Sequence, residues 1–152
     1  AVQCIALLVC GNILLWKAES YAHLNGQASL GSQMPELPEA EYARRLAEKH
    51  LAGKKISAVR FVDDRIVYEG VRAAAFAKAV TGRKIMRCRR WGKQLWFDLD
   101  ISPHPMFHLG MTGTFQIKGA KVLKYVRSKK DDPDEGAWPP RFWKVEIQTA
   151  DG

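Results

Sequence analysis

Apolar positions at Ala43, Leu46, Ala47 and His50/Leu51 recur at helical spacing and place one stripe on one face. Pro38 is tolerated in a first turn, where its missing N–H had no partner to lose. Glu39 and Glu41 suit the positive end of the helix. Gly53 supplies the stop, so the pattern predicts a helix over Glu39–Ala52. Val71, Ala75, Phe76 and Ala79 predict a second helix over Val71–Val80, ended by Gly82. Elsewhere the pattern is that of strands. The β-branched run Ile56–Val62 reads as a strand turned by Asp63-Asp64, with Arg65–Tyr68 as another. Lys84–Arg90 is a strand dense in cations. In Gln94–Leu99, residues Leu95, Phe97 and Leu99 face one way, and Trp96 and Asp98 the other. Ser102-Pro103-His104-Pro105 reads as a turn. Met106–Leu109 and Thr114–Lys118 flank Gly110-Met111-Thr112-Gly113, and Val122–Val126 follows. Ser128–Pro140 is polar, charged and proline-bearing, as a long surface loop would be. Trp143–Gln148 alternates again, with Trp143, Val145 and Ile147 on one face. Asp151-Gly152 is then a hairpin signal, and a hairpin turn without a returning strand leaves an edge unpaired, so a continuing chain is expected. The fold class is mostly β with helices, α+β.

The first 33 residues do not share this pattern. Ile5–Trp16 is apolar enough to resemble a signal-peptide core but too short to span a bilayer, and no basic segment precedes it. Residues 17–33 are polar, Gly/Ser-containing and non-periodic, like a linker. Residues 1–33 are therefore read as an extension outside the fold, either disordered or untranslated sequence carried in by read-through. A targeting segment is the lesser alternative. Residues 34–152 form the domain proper.

Charge sharpens that division. The chain has 152 residues and a formal charge of +8, yet residues 1–33 hold only Lys17 and Glu19, so the whole excess follows Met34. A strongly basic domain points to a polyanion, nucleic acid first, against the plainer reading of a solvated basic surface. The three cysteines, Cys4, Cys10 and Cys88, are too few and scattered for a disulfide framework. They form no C-x-x-C pair that could seed a zinc site. This usage fits an intracellular protein.

Three stretches could carry chemistry. In Met34-Pro35-Glu36-Leu37-Pro38-Glu39-Ala40-Glu41, loss of the methionine would leave Pro35 as a secondary amine beside the Glu36 carboxylate. An N-terminal amine is largely unprotonated near neutrality. It can attack an aldehyde-like sugar carbon to form an iminium, with the carboxylic acid moving protons. The plainer reading is a proline-rich helix start. In Arg87-Cys88-Arg89-Arg90-Trp91-Gly92-Lys93, four cations are interleaved with an indole, which suits a phosphate backbone. A solvated hairpin turn is the alternative. In His108-Leu109-Gly110-Met111-Thr112-Gly113, two glycines frame a flexible apolar side chain able to wedge into the space of a removed base. Core filler is the commoner fate of methionine.

Taken in this order and spacing, the three stretches resemble one family, the formamidopyrimidine-DNA glycosylases, which share a fold with endonuclease VIII-type glycosylases. MPELPEAE matches the family's N-terminal signature, RRWGKQLWFDL its lysine-bearing strand pair, and HLGMTG its damage-void loop. FQIKGAKVLKYVRSKKDDPDEGAWPP is similar to the longer central loop of the plant and fungal version. The resemblance implies a β-sandwich N-terminal domain with a long N-terminal helix and a second helix between strands. It also implies excision of oxidised purines followed by β,δ-elimination, from a base extruded out of the stack. Pro35 would be the nucleophile at C1′, Glu36 its acid/base partner, and Glu39 would order the site. Lys93 would hold a phosphate beside the lesion, and Met111 would fill the void. Arg89, Arg90 and His108 would join Lys93 and Met111 in binding damaged double-stranded DNA. No cofactor is implied, since the family's zinc finger is not in this chain. The expected state is a monomer off the membrane, in the nucleus if the source is eukaryotic.

The chain departs from the family pattern in three ways. Within a continuous chain the Pro35 nitrogen is a tertiary amide without proton or usable lone pair, so it cannot attack anything. The family's Arg-Arg-Phe wedge is missing, since Pro140-Arg141-Phe142 lies on the wrong side of the Trp143–Gln148 strand. The helix–two-turn–helix half is also absent, so the domain reads as incomplete at its C-terminal end and inactive by itself. Two alternatives stay open: an endonuclease VIII-like enzyme for oxidised pyrimidines, and a non-catalytic damaged-DNA-binding module.

Overall fold

The computed structural model describes residues 2–7, 12–16, 37–110, 113–120 and 137–150. Among these residues ten elements run in order: β1 Val2–Leu7, β2 Asn12–Trp16, α1 Leu37–Leu51, β3 Lys55–Phe61 and α2 Ala73–Val80, then β4 Ile85–Trp91, β5 Gln94–Leu99, β6 His104–His108, β7 Thr114–Ile117 and β8 Val145–Ala150. They form two four-stranded sheets, one in the order β3-β8-β1-β7 and the other β2-β6-β5-β4. All strand pairings within them are antiparallel. The α+β expectation therefore holds.

The sheets meet through aromatic rings. Phe115 of β7 lies 5.9 Å from Phe97 and 6.4 Å from Phe107, which belong to the other sheet. Phe97 and Phe107 are themselves 5.1 Å apart, and Phe76 of α2 reaches Phe107 at 6.3 Å. Edge-to-face and tilted contacts of this kind add directional attraction to the burial of the rings. Leu95, Phe97 and Leu99 all face this core, as their alternation predicts.

Helix α1 buries Ala40, Ala43, Ala47 and Leu51. These positions are mostly alanine, so the helix backbone can lie close to the sheet. The predicted stripe is thus correct in phase, with Leu46 and His50 at its half-buried margin. The helix also covers the outer edge of β4, where the Cys88 N–H donates to the Glu48 carboxylate. An edge strand's open donors are a liability, and here a helical carboxylate takes one of them. Among the described residues, no helix is long and apolar enough to cross a membrane.

Residues 1–33 were expected to lie outside the fold, yet they place two strands inside it. β1 pairs with β7 through Cys4↔Ile117 to Leu7↔Thr114 and with β8 through Val2↔Thr149 to Ala6↔Val145. β2 pairs with β6 from Asn12↔His108 to Trp16↔His104. Ile13 is fully buried in the common core. A short apolar run without helical or alternating period is ambiguous in sequence, and tertiary pairing decides it.

Three smaller expectations also change. Arg65–Val67 is a turn, because the Asp64 carboxylate accepts from the Ile66 N–H and the Asp64 carbonyl from those of Val67 and Tyr68, and only Tyr68 pairs, in an isolated parallel bridge with Ile13. His104 and Pro105, expected in a turn, open β6 because β2 supplies them a partner. Trp143 precedes β8 rather than lying in it, and its ring sits under the Arg60 guanidinium at 5.2 Å. That guanidinium also pairs at 2.8 Å with the fully buried Glu146, whose other oxygen accepts the Trp138 indole N–H at 2.9 Å. The predicted Val122–Val126 segment and most of the Ser128–Pro140 loop lie outside the described residues.

Candidate nucleic-acid interface

The cationic stretch falls on β4 and the turn into β5. A register shift between Ile85 and Arg87 resets the alternation, after which Arg87, Arg89 and Trp91 point outward and Cys88 and Arg90 point toward α1. Gly92 adopts a positive φ of 55°, a left-handed conformation that L side chains rarely take, so glycine suits this tight turn. Lys93 follows at the tip.

This turn is fastened to the first helix by one carboxylate. Arg90 Nε donates to Glu41 Oε2 at 3.0 Å, and Arg90 NH1 donates to the Gly92 carbonyl at 2.8 Å. The same Glu41 carboxylate also receives Arg44 at 2.9 Å and Arg45 at 2.9 Å. The hydrogen bonds from Arg44, then Arg90, then Arg45, hold its carboxyl far below the usual carboxylate range. A charge-assisted network of this sort fixes geometry as well as adding attraction. Glu41 lies two residues after Glu39 on α1, so the helix start and the Arg-Trp-Gly-Lys turn form one structural unit.

The third stretch joins them through the ladder. His108, at the end of β6, lies directly opposite Gln94 of β5, and Gln94 lies opposite Trp91 of β4. Burial, and then the nearby positive charge of Lys93, hold the His108 imidazole below its ordinary value, favouring the neutral ring. Beyond it, Leu109 is buried and Gly110 takes a positive φ of 60°. A Cβ on Gly113 would stand 2.0 Å from the Leu109 carbonyl oxygen, so this loop closes on itself too tightly for a side chain there.

The helix start, the cationic turn and the His108-Leu109-Gly110 segment therefore share one end of the sandwich. Residues 34–152 match the family model for the formamidopyrimidine-DNA glycosylase N-terminal domain. The chain belongs to the formamidopyrimidine-DNA glycosylase family. It is 44% identical over 119 residues to the formamidopyrimidine-DNA glycosylase of Arabidopsis thaliana, covering 78% of this chain and 30% of that protein. It is 43% identical over 86 residues to that of a Nocardioides species, covering 56% of this chain and 29% of the relative. The chain thus spans about three tenths of the length of these relatives. Among solved structures it is similar to Lactococcus lactis Fpg (MutM) in complex with DNA containing N7-benzyl-Fapy-dG. That match has 23% identity and a TM-score of 0.39, over 55% of this chain and 43% of the other.

Of the residues that the formamidopyrimidine-DNA glycosylase resemblance singled out, Arg90, Lys93 and His108 come together at this end. Glu39 is half-buried in the first turn of α1. Arg89 points to the outer face, where it is ion-paired with Asp98. Pro35, Glu36 and Met111 lie outside the described residues. The family match begins at residue 34, so β1 and β2 lie outside it although they are built into both sheets. No group of three or more His, Cys, Asp or Glu among the described residues is placed to hold a metal ion.

Sequence reasoning missed two participants. Glu41 was read only as a favourable charge at the helix start, and Gln94 only as the first residue of a strand. Counting register back from His108 across the four-residue connection between β5 and β6 would have found Gln94. Nothing local marks Glu41 as the partner of Arg90, because 49 residues separate them.

Proposed function

We propose that the chain is the N-terminal part of a base-excision repair glycosylase for oxidised purines, 8-oxoguanine and formamidopyrimidines, in double-stranded DNA. Family membership supports this reading. The observation that carries it is the gathering of Arg90, Lys93 and His108 beside the start of α1, the helix that follows Pro35 and Glu36. In the full reaction the Pro35 amine attacks C1′ of the damaged nucleotide as the N-glycosidic bond breaks and the base leaves protonated, Glu36 moves protons as the sugar ring opens to the Schiff base, and that Schiff base resolves by β,δ-elimination. Glu39 orders the helix start, Lys93 and Arg89 bear on phosphates, and Met111 fills the void. The protein acts as a monomer, in the nucleus if its source is eukaryotic and otherwise in the cytoplasm or nucleoid.

Within residues 1–152 the Pro35 nitrogen is acylated, so this chain binds damaged DNA without cutting it. The binding-module reading therefore describes the chain with Pro35 internal, and the enzyme reading the chain with Pro35 freed. Borohydride trapping on a duplex carrying 8-oxoguanine tests the pair. Residues 1–152 should give no covalent adduct but should bind the duplex. Lys93→Ala should weaken binding and lower the slope of log K against log salt by about one. An adduct with the intact chain would overturn the role given to the free amine. Absence of duplex binding at low salt would overturn the whole reading. Preference for an oxidised-pyrimidine duplex would favour the endonuclease VIII-like alternative.

A further inference from the structure

The outer face of sheet β2-β6-β5-β4 carries a feature that phosphate binding does not use. Trp91 is 62% exposed, although it is the largest side-chain type and stands in a strand. Keeping an indole in water costs free energy that a buried position would recover. The face is not bare throughout: Trp96 and Met106, one row further in, are 8% and 6% exposed. The Trp96 indole N–H donates to Asp98 at 3.0 Å. Trp91 alone of these three stands clear.

Its neighbours follow from register. Trp91, Gln94 and His108 are directly opposite one another across β4, β5 and β6. Residues paired in this way point to the same face, and three strands span about 10 Å. The intervening row, Arg90, Leu95 and Phe107, points inward, and Leu95 and Phe107 are fully buried. The outward row is therefore an aromatic plate, an amide with both donor and acceptor, and an imidazole. Lys93 stands at the turn beside it, and Arg89 is the next outward residue on β4. Arg87, the outward residue after that, is exposed and makes no ion pair among the described residues.

We propose that this row is a seat for an unpaired nucleotide of single-stranded or locally opened DNA. Its base stacks on Trp91, its edge meets Gln94 and His108, and its flanking phosphates face Arg87 and Lys93. Cations around an exposed aromatic on a sheet face are the arrangement by which sequence-tolerant single-strand binding works. Every base offers a π-face, and the backbone supplies charge. A duplex hides its bases and would use only the cations. The row thus adds a preference for opened DNA to the cationic surface, and it rests on the DNA-binding reading given above.

The test uses residues 1–152 with unmodified oligothymidylate and the matching duplex, at several salt concentrations. Trp91→Ala should weaken single-strand binding by about tenfold and leave duplex binding within about twofold. Its salt slope should not change, because no phosphate contact is lost. Trp91→Phe should restore most of the loss, which a merely structural role would not require. Equal single-strand affinity for the parent and Trp91→Ala, or equal losses on both DNA forms with no rescue by Phe, would overturn the proposal while leaving the glycosylase reading intact. Trp91-dependent single-strand binding with no duplex binding at low salt would sink the glycosylase reading and sustain the seat. Binding of neither DNA form would overturn both.

Discussion

The two sheets of the sandwich are assembled in opposite ways. In β2-β6-β5-β4, the run β4, β5 and β6 is a meander of consecutive strands, and β2 is added at its edge. In β3-β8-β1-β7 no neighbours in space are neighbours in sequence, and β1 alone joins β8 to β7. The first sheet is thus built from local hairpins and needs the N-terminal segment only as a margin. The second is built from distant pairings and needs that segment in its middle. Distant pairing must overcome loop-closure entropy before it is rewarded, so the second sheet is the more conditional of the two. The cationic turn and His108 belong to the first sheet. The proposed DNA-facing residues of the cationic turn and His108 thus sit on the locally coded half, and cohesion depends on the other.

The largest break in this comparison should come at the joint between the sheets. Phe107→Ala removes a fully buried ring that meets Phe76, Phe97 and Phe115, and should cost about 3–5 kcal/mol in chemical denaturation. A loss below about 1 kcal/mol would mean that the sheets do not depend on this contact.

Proline scanning of the two N-terminal strands separates margin from middle. Ile5→Pro, opposite both Gln116 and Glu146, interrupts a central strand and should cost roughly 3 kcal/mol. That corresponds to roughly 10 °C in melting temperature for a domain of this size. Leu15→Pro should cost about 1 kcal/mol. The Ile13 N–H points to the Val67 carbonyl, away from β6, and two residues on the Leu15 N–H points the same way. Equal melting temperatures for Ile5→Pro and the parent would make β1 dispensable and collapse the contrast.

On the first sheet, Glu41→Gln should loosen the turn rather than the fold. The expected cost is about 1 kcal/mol, with faster amide exchange confined to the turn formed by Arg90 to Lys93. The Glu41 carboxyl is held low by its arginines, so its contribution is present above about pH 4.5, the ordinary value, and is lost as pH falls further. The variant should therefore show a flatter stability profile in acid than the parent. A profile parallel to the parent's would show that Arg90 does not need this carboxylate.

The smallest effect should be the histidine step. His50 and His108 are both held below 6.5, His50 by burial and then by Lys49 and Lys54, and His108 by burial and then by Lys93. A histidine depressed in the folded state binds its proton more readily when unfolded. Its contribution is thus present above about pH 6.5 and declines as pH falls through the folded value. Melting temperature should begin to fall just below pH 6.5, and the double variant His50→Gln/His108→Gln should remove that onset. Persistence of the onset would place it in other groups.

The same contrast explains what could be read from the sequence. The α1 stripe and the alternation of β5 are local patterns, and both came out in phase. The Arg-Trp-Gly-Lys turn and the His108 segment were legible as motifs, but not that the first closes the β4–β5 hairpin while the second leads from β6 into the other sheet. β1 and β2 were not legible, because an apolar run fits a buried strand, a helix fragment or a signal core equally well. What decides is a partner far along the chain, 88 to 96 residues on for β2 and more than 100 for β1. Arg65–Tyr68 departed from a strand, save for the Tyr68 bridge to Ile13, for the opposite reason. Its β-branched content suggested a strand, but the Asp64 side chain and carbonyl satisfied the local N–H groups first. The link from Glu41 to Arg90 needed the packing of α1 on β4, which no local pattern encodes.

The strand β1 also changes what liberating Pro35 would involve. Were the Met34–Pro35 peptide bond hydrolysed, the proline nitrogen would be freed at a point in the chain beyond β2. Residues 2–7 remain clasped between β7 and β8 and residues 12–16 remain beside β6, so the severed piece leaves only if both ladders melt. Maturation and sheet integrity are then separable. A chain cut there should elute as one two-chain body and part only in denaturant.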